Sequence, residues 1–194
     1  MSTQDGTKDE KREVRKSLSA LRRTLSKEKK LELDCEIGMR VLTLKEYMTA
    51  KTLLCYVSTK DEIDTISIIT AALANSKTVA VPKTNTALNT IDFYIIKSLD
   101  DLEIANYNIS EPKKSCKKLE DFSQSICITP ALGYDINGYR MGYGKGFYDR
   151  FLCTYNGISA GLSYEKCVTS SLPKEDFDIP VNILITPKYV RICN

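Results

Sequence analysis

A glycine-rich stretch at residues 138–150 holds the residue types in this sequence that are best suited to chemistry. It reads Gly-Tyr-Arg-Met-Gly-Tyr-Gly-Lys-Gly-Phe-Tyr-Asp-Arg and contains four of the chain's nine glycines. Three of them alternate, at positions 142, 144 and 146, with Lys145 between the last two. Glycine lets backbone N–H groups approach a ligand closely, and successive N–H groups beside a cation form an anion site. This glycine segment therefore predicts a cradle for nucleotide phosphates.

The glycine segment differs from the common phosphate loops. Lys145 is followed by Gly146, where a Walker A loop has Ser or Thr, and the G-x-G-x-G spacing departs from the dinucleotide pattern G-x-G-x-x-G. A plain hairpin is the alternative, because residues 134–143 alternate around the turn-forming pair Asn137-Gly138. We expect that pair to form a turn and the three later glycines to bind phosphate. A carboxylate close by, Asp149, is suited to the Mg²⁺ that accompanies nucleotide phosphates.

The absence of histidine excludes several classes of chemistry. With no histidine in 194 residues, a Ser-His-Asp triad, a His general base and a His-ligated metal are all impossible. The seven cysteines include no C-x-x-C pair, so a disulfide framework or a zinc site is disfavoured. Cys55 and Cys127 lie in apolar runs and are predicted to be buried. Catalysis must rely on carboxylates, Lys, Arg, Tyr, backbone amides and bound cofactors.

Charge and hydropathy narrow the class of protein further. The N-terminus is polar, and no run of 18 apolar residues exists, so we expect a cytoplasmic protein without a membrane span. Residues 1–30 contain ten Lys/Arg and five Asp/Glu, whereas the remaining chain contains eighteen and twenty. This basic start is compatible with nucleic acid, a membrane surface or a small polyanion as partner.

The elements that position these groups begin with helices. Residues 10–25 predict an amphipathic helix, because its apolar positions are spaced four, three and four apart: Val14, Leu18, Leu21 and Leu25. Ser26 is a suitable N-cap for a second helix that runs to about Met48 and is broken near Thr43. Residues 1–8 are expected to be disordered.

Short apolar runs then predict an α/β domain. Strands are predicted at 53–57, 78–81, 91–96, 126–129, 158–162 and 183–186, with helices at 66–75 and 146–155 and mostly loop at 97–124. The second strand is expected to end at Pro82. The fold class is α/β: residues 1–194 form a single domain, a mainly parallel sheet flanked by helices, with an N-terminal helical segment. The acidic loop 61–64 and the glycine segment both follow strands and are expected at one rim of the sheet.

The sequence from Pro130 to Arg150 closely resembles the signature of the 5-formyltetrahydrofolate cyclo-ligase (methenyltetrahydrofolate synthetase) family. That signature reads roughly P-x-x-x-[FY]-D-x-x-G-x-R-[LM]-G-[YR]-G-[GK]-G-[FY]-Y-D. Four further segments resemble family elements in family order: Lys11 to Arg15, Asp61-Glu62-Ile63, Glu111-Pro112 and Asp178 to Thr186. The resemblance spans nearly the whole chain.

The resemblance implies a ligase that uses ATP and Mg²⁺ to convert 5-formyltetrahydrofolate to 5,10-methenyltetrahydrofolate. It implies catalytic roles for Lys145 and Arg140 and Mg²⁺ ligation by Asp149 and Asp178. The residues implied for ATP are Lys11, Arg12, Arg15, Arg140, Gly142, Tyr143, Gly144, Lys145, Gly146, Phe147 and Tyr148. Those implied for the reduced folate are Val57, Glu62, Tyr107, Tyr143, Gly144, Lys145, Gly146 and Phe147. The implied partners are these small molecules alone, bound by a monomer, without nucleic acid or membrane.

Departures and alternatives stay open at this point. Asn182 stands where relatives often carry Asp, and the chain lacks Trp, with Tyr107 at a place where some relatives have one. Taken singly, Lys11 and Arg15 also fit the solvated face of a basic helix, and Glu62 fits a turn charge. The alternative functions are another nucleotide- or phosphosugar-using α/β enzyme and a basic nucleic-acid-binding protein.

Overall fold

The computed structural model describes residues 3–105 and 109–193, which contain five α-helices and thirteen strands. The helices are α1 Thr3–Arg23, α2 Lys27–Thr43, α3 Lys45–Thr49, α4 Ile66–Ala74 and α5 Phe147–Leu152. The strands are β1 Thr52–Cys55, β2 Thr78–Asn85, β3 Thr90–Ile96, β4 Leu102–Ile104, β5 Ser110–Pro112, β6 Lys117–Lys118, β7 Ser125–Thr129, β8 Gly133–Asp135, β9 Arg140–Met141, β10 Ile158–Leu162, β11 Val168–Thr169, β12 Ile183–Ile185 and β13 Val190–Ile192.

Eight strands form one central sheet in the order β13-β12-β10-β7-β1-β2-β3-β6. The five strands β12, β10, β7, β1 and β2 pair in parallel, while β13, β3 and β6 add antiparallel edges. Smaller sheets join β11, β8 and β9, and β4 with β5. The predicted α/β class with a mainly parallel sheet is therefore confirmed.

The central strands are buried on both faces, as their unbroken apolar runs predict. Every residue of β1 and β7 is buried, and Cys55 and Cys127, predicted to be buried, are both 0% exposed. In the region that the structure describes, no helix is both long and apolar enough to cross a membrane.

The N-terminal helices follow the sequence pattern except at the first residues. Ser26 caps α2, with its side chain accepting a hydrogen bond from the Lys29 N–H, and the predicted break near Thr43 lies at Leu44, whose backbone is extended. Helix α1 begins at Thr3, so the expected disorder of residues 1–8 is not met from Thr3 onward. Once a helix is nucleated, each added residue costs little, so polar residues can prolong it.

The predicted end of β2 is wrong. The strand continues through Pro82 to Asn85, because beyond Ala80 it no longer pairs with β1 and is bonded only to β3. Such a one-sided position tolerates proline, which lacks the N–H that a central strand needs. Three short strands, β4, β5 and β6, lie in the region predicted to be mostly loop, and α5 ends at Leu152, earlier than predicted.

Candidate active site

A cleft of about 2090 Å³ lies beyond the carboxyl ends of β1 and β7. Its walls include α1, the loop that follows β1 and the glycine segment. Pockets for one small ligand are usually ~300–1,000 Å³, so this cleft has room for two substrates side by side. The prediction that the acidic loop and the glycine segment share one rim is confirmed.

The glycine segment forms a hairpin that leads into a left-handed loop. Strands β8 and β9 pair antiparallel around Gly138, whose φ is +86°, so the predicted turn is confirmed. Gly144 and Gly146 have φ of +93° and +65°, a region that residues with a Cβ adopt only at a cost. The sequence of alternating glycines therefore allows this backbone path.

Two arginines, one from α1 and one from α5, donate hydrogen bonds to backbone carbonyls of the loop. The Arg15 Nε of α1 donates to the Gly142 carbonyl at 3.0 Å, and a Cβ on Gly144 would lie 3.3 Å from the Arg15 guanidinium carbon. Arg150 donates from Nη2 to the Lys145 carbonyl at 2.6 Å. The two guanidiniums therefore lie against the loop and hold its backbone on both sides of Gly144.

Lys145 presents an unpaired cation at the cleft. Its side chain is exposed, and within residues 3–105 and 109–193 its ammonium has no hydrogen-bond or ion-pair partner. An unpaired ammonium beside a row of backbone amides is suited to an anionic ligand. Lys145 therefore lies where an anionic ligand in the cleft can reach it, and its predicted contact with phosphate stays a prediction.

Arg140 is engaged with the protein itself. Its side chain is 4% exposed and donates from Nη1 to the Ile179 carbonyl at 2.6 Å and from Nη2 to Oδ1 of Asp149. The Ile179 N–H also donates to the same Asp149 oxygen, at 3.3 Å. These contacts indicate that Arg140 orients Asp149, whereas its predicted contact with a reacting group stays a prediction.

Lys11 is likewise paired, with two carboxylates. Its ammonium donates to Glu175 at 2.7 Å and to Asp178 at 2.6 Å. Burial alone would lower the pKa of Lys11, but the hydrogen bonds and charges of Asp178 and Glu175 outweigh it and raise the pKa above its ordinary value. Lys11 is therefore a cation at the edge of the cleft at every physiological pH.

The donor chemistry of Asp149 and Asp178 fits Mg²⁺ when phosphate oxygens complete the coordination. Each carboxylate uses one oxygen for a cation and a backbone N–H, which leaves its other oxygen without a hydrogen bond in the described part of the chain. No group of three metal-binding side chains exists among the described residues. Mg²⁺ sites for nucleotides commonly use one or two carboxylates with substrate phosphates, so two carboxylates suffice.

Glu62 is held in place on the other side of the cleft. Its Oε2 accepts hydrogen bonds from the N–H and the hydroxyl of Thr59, at 2.9 and 3.0 Å. Its Oε1 accepts from the Tyr143 hydroxyl at 3.2 Å, which joins the acidic loop to the glycine segment. Partial burial, and then the Glu62 charge, raise the pKa of Tyr143 to about 12, so the phenol remains a donor.

Other predicted site residues divide between the cleft and its surroundings. Val57, Phe147 and Tyr148 border the cleft, and their predicted contacts with ATP or the folate stay predictions. Arg12 does not: it lies on the exposed face of α1 and pairs with Asp9 and Glu13, because it is one residue, or about 100°, away from Lys11 around the helix. Tyr107 lies outside the described residues.

Two residues at the cleft were missed by the sequence reasoning. Thr59 stands three residues before Glu62, a T-x-x-E spacing typical of a capping box, which was an available signal. Arg22 donates to the carbonyls of Leu132 at 3.0 Å, Ala131 at 2.5 Å and Asp61 at 3.4 Å. It ties α1 to the acidic loop and to the segment that follows β7. Its helical spacing from Arg15 places it on the same face of α1, but its loop partners cannot be read from local sequence.

Comparisons with known proteins identify the family of the chain. The model of the 5-formyltetrahydrofolate cyclo-ligase family matches residues 7–187. The 5-formyltetrahydrofolate cyclo-ligase of Escherichia coli K12 is 28% identical over 174 residues, 87% of this chain and 96% of that protein. The corresponding protein of Mus musculus is 25% identical over 184 residues, 89% and 91% of the two chains.

Solved structures give the same result at the level of the fold. The NMR structure of Aquifex aeolicus 5,10-methenyltetrahydrofolate synthetase matches with a TM-score of 0.83 and 31% identity, over 94% of this chain and 92% of that one. A 5,10-methenyltetrahydrofolate synthetase from Mycoplasma pneumoniae shares the fold, with a TM-score of 0.72 and 23% identity over 91% and 98%. The chain belongs to the 5-formyltetrahydrofolate cyclo-ligase family.

Proposed function

We propose that the protein uses ATP to convert 5-formyltetrahydrofolate to 5,10-methenyltetrahydrofolate, with release of ADP and phosphate. The observation that carries the proposal is one cleft that combines a glycine loop held by two arginines, Lys145 without a partner among the described residues, and the anchored carboxylate of Glu62. The first side suits a polyphosphate, and the second suits the N–H donors of a pterin. Family membership supports the same activity.

The reaction asks the protein for positioning and charge neutralisation. The formyl oxygen is a poor leaving group, so we propose that it first attacks the γ-phosphorus of ATP and ADP departs. N10 of the folate then attacks the formyl carbon, the phosphorylated oxygen leaves as phosphate, and N10 loses its proton to the departing phosphate or water. Phosphoryl transfer of this kind depends mainly on alignment and electrostatics, which a chain without histidine can supply.

Each side chain has a proposed task at its observed place. The amides of residues 142–146 cradle the phosphates, and Lys145 neutralises charge that develops on the transferred group. Lys11 and Arg15 line the phosphate side, with Arg15 also holding the loop. Asp149 and Asp178 would hold Mg²⁺, which when bound supplies charge neutralisation at the ATP phosphates.

The folate side is proposed to lie at the acidic loop. Glu62 accepts hydrogen bonds from the pterin, after exchange of the Tyr143 hydroxyl that occupies its Oε1. Phe147 and Tyr143 offer flat surfaces for the pterin or benzoyl ring, and Val57 an apolar contact. A role for Tyr107 stays a prediction, as do a monomeric state, cytoplasmic location and the absence of nucleic-acid or membrane partners.

The test is spectroscopic. Purified protein is mixed with 5-formyltetrahydrofolate and Mg·ATP, and the absorbance of the methenyl product is followed, with mixtures that lack ATP or Mg²⁺ as controls. We expect the chromophore to form only in the complete mixture. Its absence in the presence of folded protein would refute the proposal and favour another nucleotide- or phosphosugar-using enzyme.

A further inference from the structure

Two carboxylates converge on the ammonium of Lys11. Glu175 accepts from it at 2.7 Å and Asp178 at 2.6 Å, and the Lys11 side chain is only 10% exposed. The two acids belong to one turn before β12, closed by the Asp178 N–H on the Glu175 carbonyl at 3.0 Å and by the Glu175 N–H on Oδ2 of Asp178 at 2.8 Å. The turn therefore presents both carboxylates to a lysine that comes from α1, more than 160 residues away.

The arrangement leaves Lys11 one proton for a ligand. A lysine ammonium has three donors, and within the described residues only Glu175 and Asp178 accept from this one. Lys11 borders the cleft, so its third donor has access to it. Ordering a lysine side chain costs rotamer entropy, and the two ion pairs of Lys11 offset this loss without a ligand. Lys11 is thus ordered in advance for an anion.

We propose that Glu175 is a positioning residue for ATP, which holds the Lys11 ammonium toward the phosphates. The inference rests on the proposed function. Asp178, the other partner of Lys11, is also a proposed Mg²⁺ ligand, and a carboxylate oriented to a metal is a weaker anchor for an ammonium. Glu175 is not a proposed metal ligand, and within the described residues its carboxylate pairs with Lys11 alone. It is therefore the partner of Lys11 whose charge is not shared with Mg²⁺ when Mg·ATP is bound.

The test measures nucleotide affinity as well as turnover. Calorimetric titration with a non-hydrolysable ATP analogue and Mg²⁺ compares wild type, Glu175→Ala and Glu175→Gln. We expect Glu175→Ala to weaken analogue binding about tenfold, since it removes a charge-assisted hydrogen bond that orients Lys11. Glu175→Gln, which keeps an acceptor but loses the charge, should lie between. The KM for ATP should follow these values, while the KM for the folate stays unchanged.

The neighbouring acid provides a matched control. Asp176 is exposed and has no partner among the residues described, so Asp176→Ala removes the same charge from the same turn. Equal affinities for Glu175→Ala and Asp176→Ala would overturn the inference, as would tighter binding by Glu175→Ala, which would show that Glu175 repels phosphate. Wild-type protein that forms no methenyl product would instead contradict the proposed function.

A double variant separates positioning from stability. If Glu175 acts through Lys11, then Glu175→Ala in a Lys11→Ala background should not weaken analogue binding further. Additive losses would contradict the proposed route. Thermal unfolding of each variant identifies any loss that comes from misfolding.

Discussion

At the scale of single residues, the cations around the glycine segment differ in whether other described residues already bind them. Lys145 has no partner in the described structure, whereas Lys11 and Arg140 are bound to carboxylates and Arg15 to a loop carbonyl. We infer that the paired cations shape the site, and that Lys145, which lies within the glycine segment itself, is available to the reacting phosphoryl group. These different roles follow from the contacts of each cation, since all of these side chains carry the same charge.

Lys145→Ala should therefore abolish most turnover while leaving the fold intact. Loss of one donor aimed at a developing anion typically lowers kcat by about 10²–10³, and an exposed side chain without partners contributes little to stability. Steady-state rates of methenyl formation and thermal unfolding measure the two effects. Lys114→Ala, at an exposed lysine outside the cleft, is the control. Near-normal turnover by Lys145→Ala would remove this residue from the site.

Glu62→Ala should act on the folate rather than on ATP. It removes a carboxylate that Thr59 and Tyr143 hold toward the cleft, so we expect the folate KM to rise about tenfold or more. The ATP KM should change far less. Initial rates with each substrate varied in turn measure both, and Asp61→Ala is the control within the same loop. A larger effect on ATP would mean that the two roles are exchanged.

The raised pKa of Tyr143 predicts a stability difference in alkali. In the unfolded chain this phenol ionises near its ordinary value of 10.0, whereas in the folded protein it ionises at about 12. Between these values the unfolded state releases this proton before the folded state does, so the wild type loses stability there. Tyr143→Phe should lose slightly less, because its other buried tyrosines, such as Tyr134, still titrate with raised pKa values and Tyr143 itself is partly exposed. Melting temperatures of both proteins at pH 8 and pH 11 test this. An equal fall for both would contradict the shift.

At the scale of elements, α1 holds the site together. Three cations on its basic face make these contacts. Lys11 binds the turn before β12, and Arg15 binds the glycine segment. Arg22 binds the acidic loop and the segment that follows β7. The basic face of this helix, which taken alone also fits a solvated surface, thus contacts both the glycine segment and the acidic loop. Arg12 is absent from this set because it faces solvent.

Local sequence patterns predicted the elements better than their contacts. The Ser26 cap, the buried runs of β1 and β7 and the turn at Gly138 depend on neighbouring residues, and all were predicted. The extension of β2 past Pro82 depends on where its pairing with β1 stops, which only the assembled sheet determines. The contact of Arg22 with Leu132 and that of Glu175 with Lys11 join residues more than 100 positions apart, so no local pattern contains them.

The glycines of the loop should differ in their tolerance of a methyl group. Alanine at Gly144 would take a φ of +93° at a cost of about 1–2 kcal/mol and crowd Arg15 at 3.3 Å. At Gly142 a Cβ would meet nothing within 4 Å. We expect Gly144→Ala to reduce ATP affinity and stability much more than Gly142→Ala. Titration with an ATP analogue and thermal unfolding compare the pair, and equal losses would contradict a loop fixed by its backbone angles.

At the scale of the whole molecule, one parallel sheet brings two binding functions to one rim. Strands β1 and β7 are neighbours, so the loops that follow them meet although about 80 residues separate them, as the bond between Glu62 and Tyr143 shows. The family match over residues 7–187 covers most of α1, both loops and the final turn, together with every other residue that lines the cleft. The fold therefore places the proposed sites for ATP and for the reduced folate next to each other.

The measurement that tests this account most directly is the stoichiometry of the reaction. ADP release and methenyl absorbance are followed together while wild-type protein turns over Mg·ATP and 5-formyltetrahydrofolate. We predict that each ADP released accompanies one methenyl product and that neither forms without the other substrate. ADP release without methenyl formation, or methenyl formation without ADP, would contradict the central claim that this cleft couples phosphoryl transfer to ring closure.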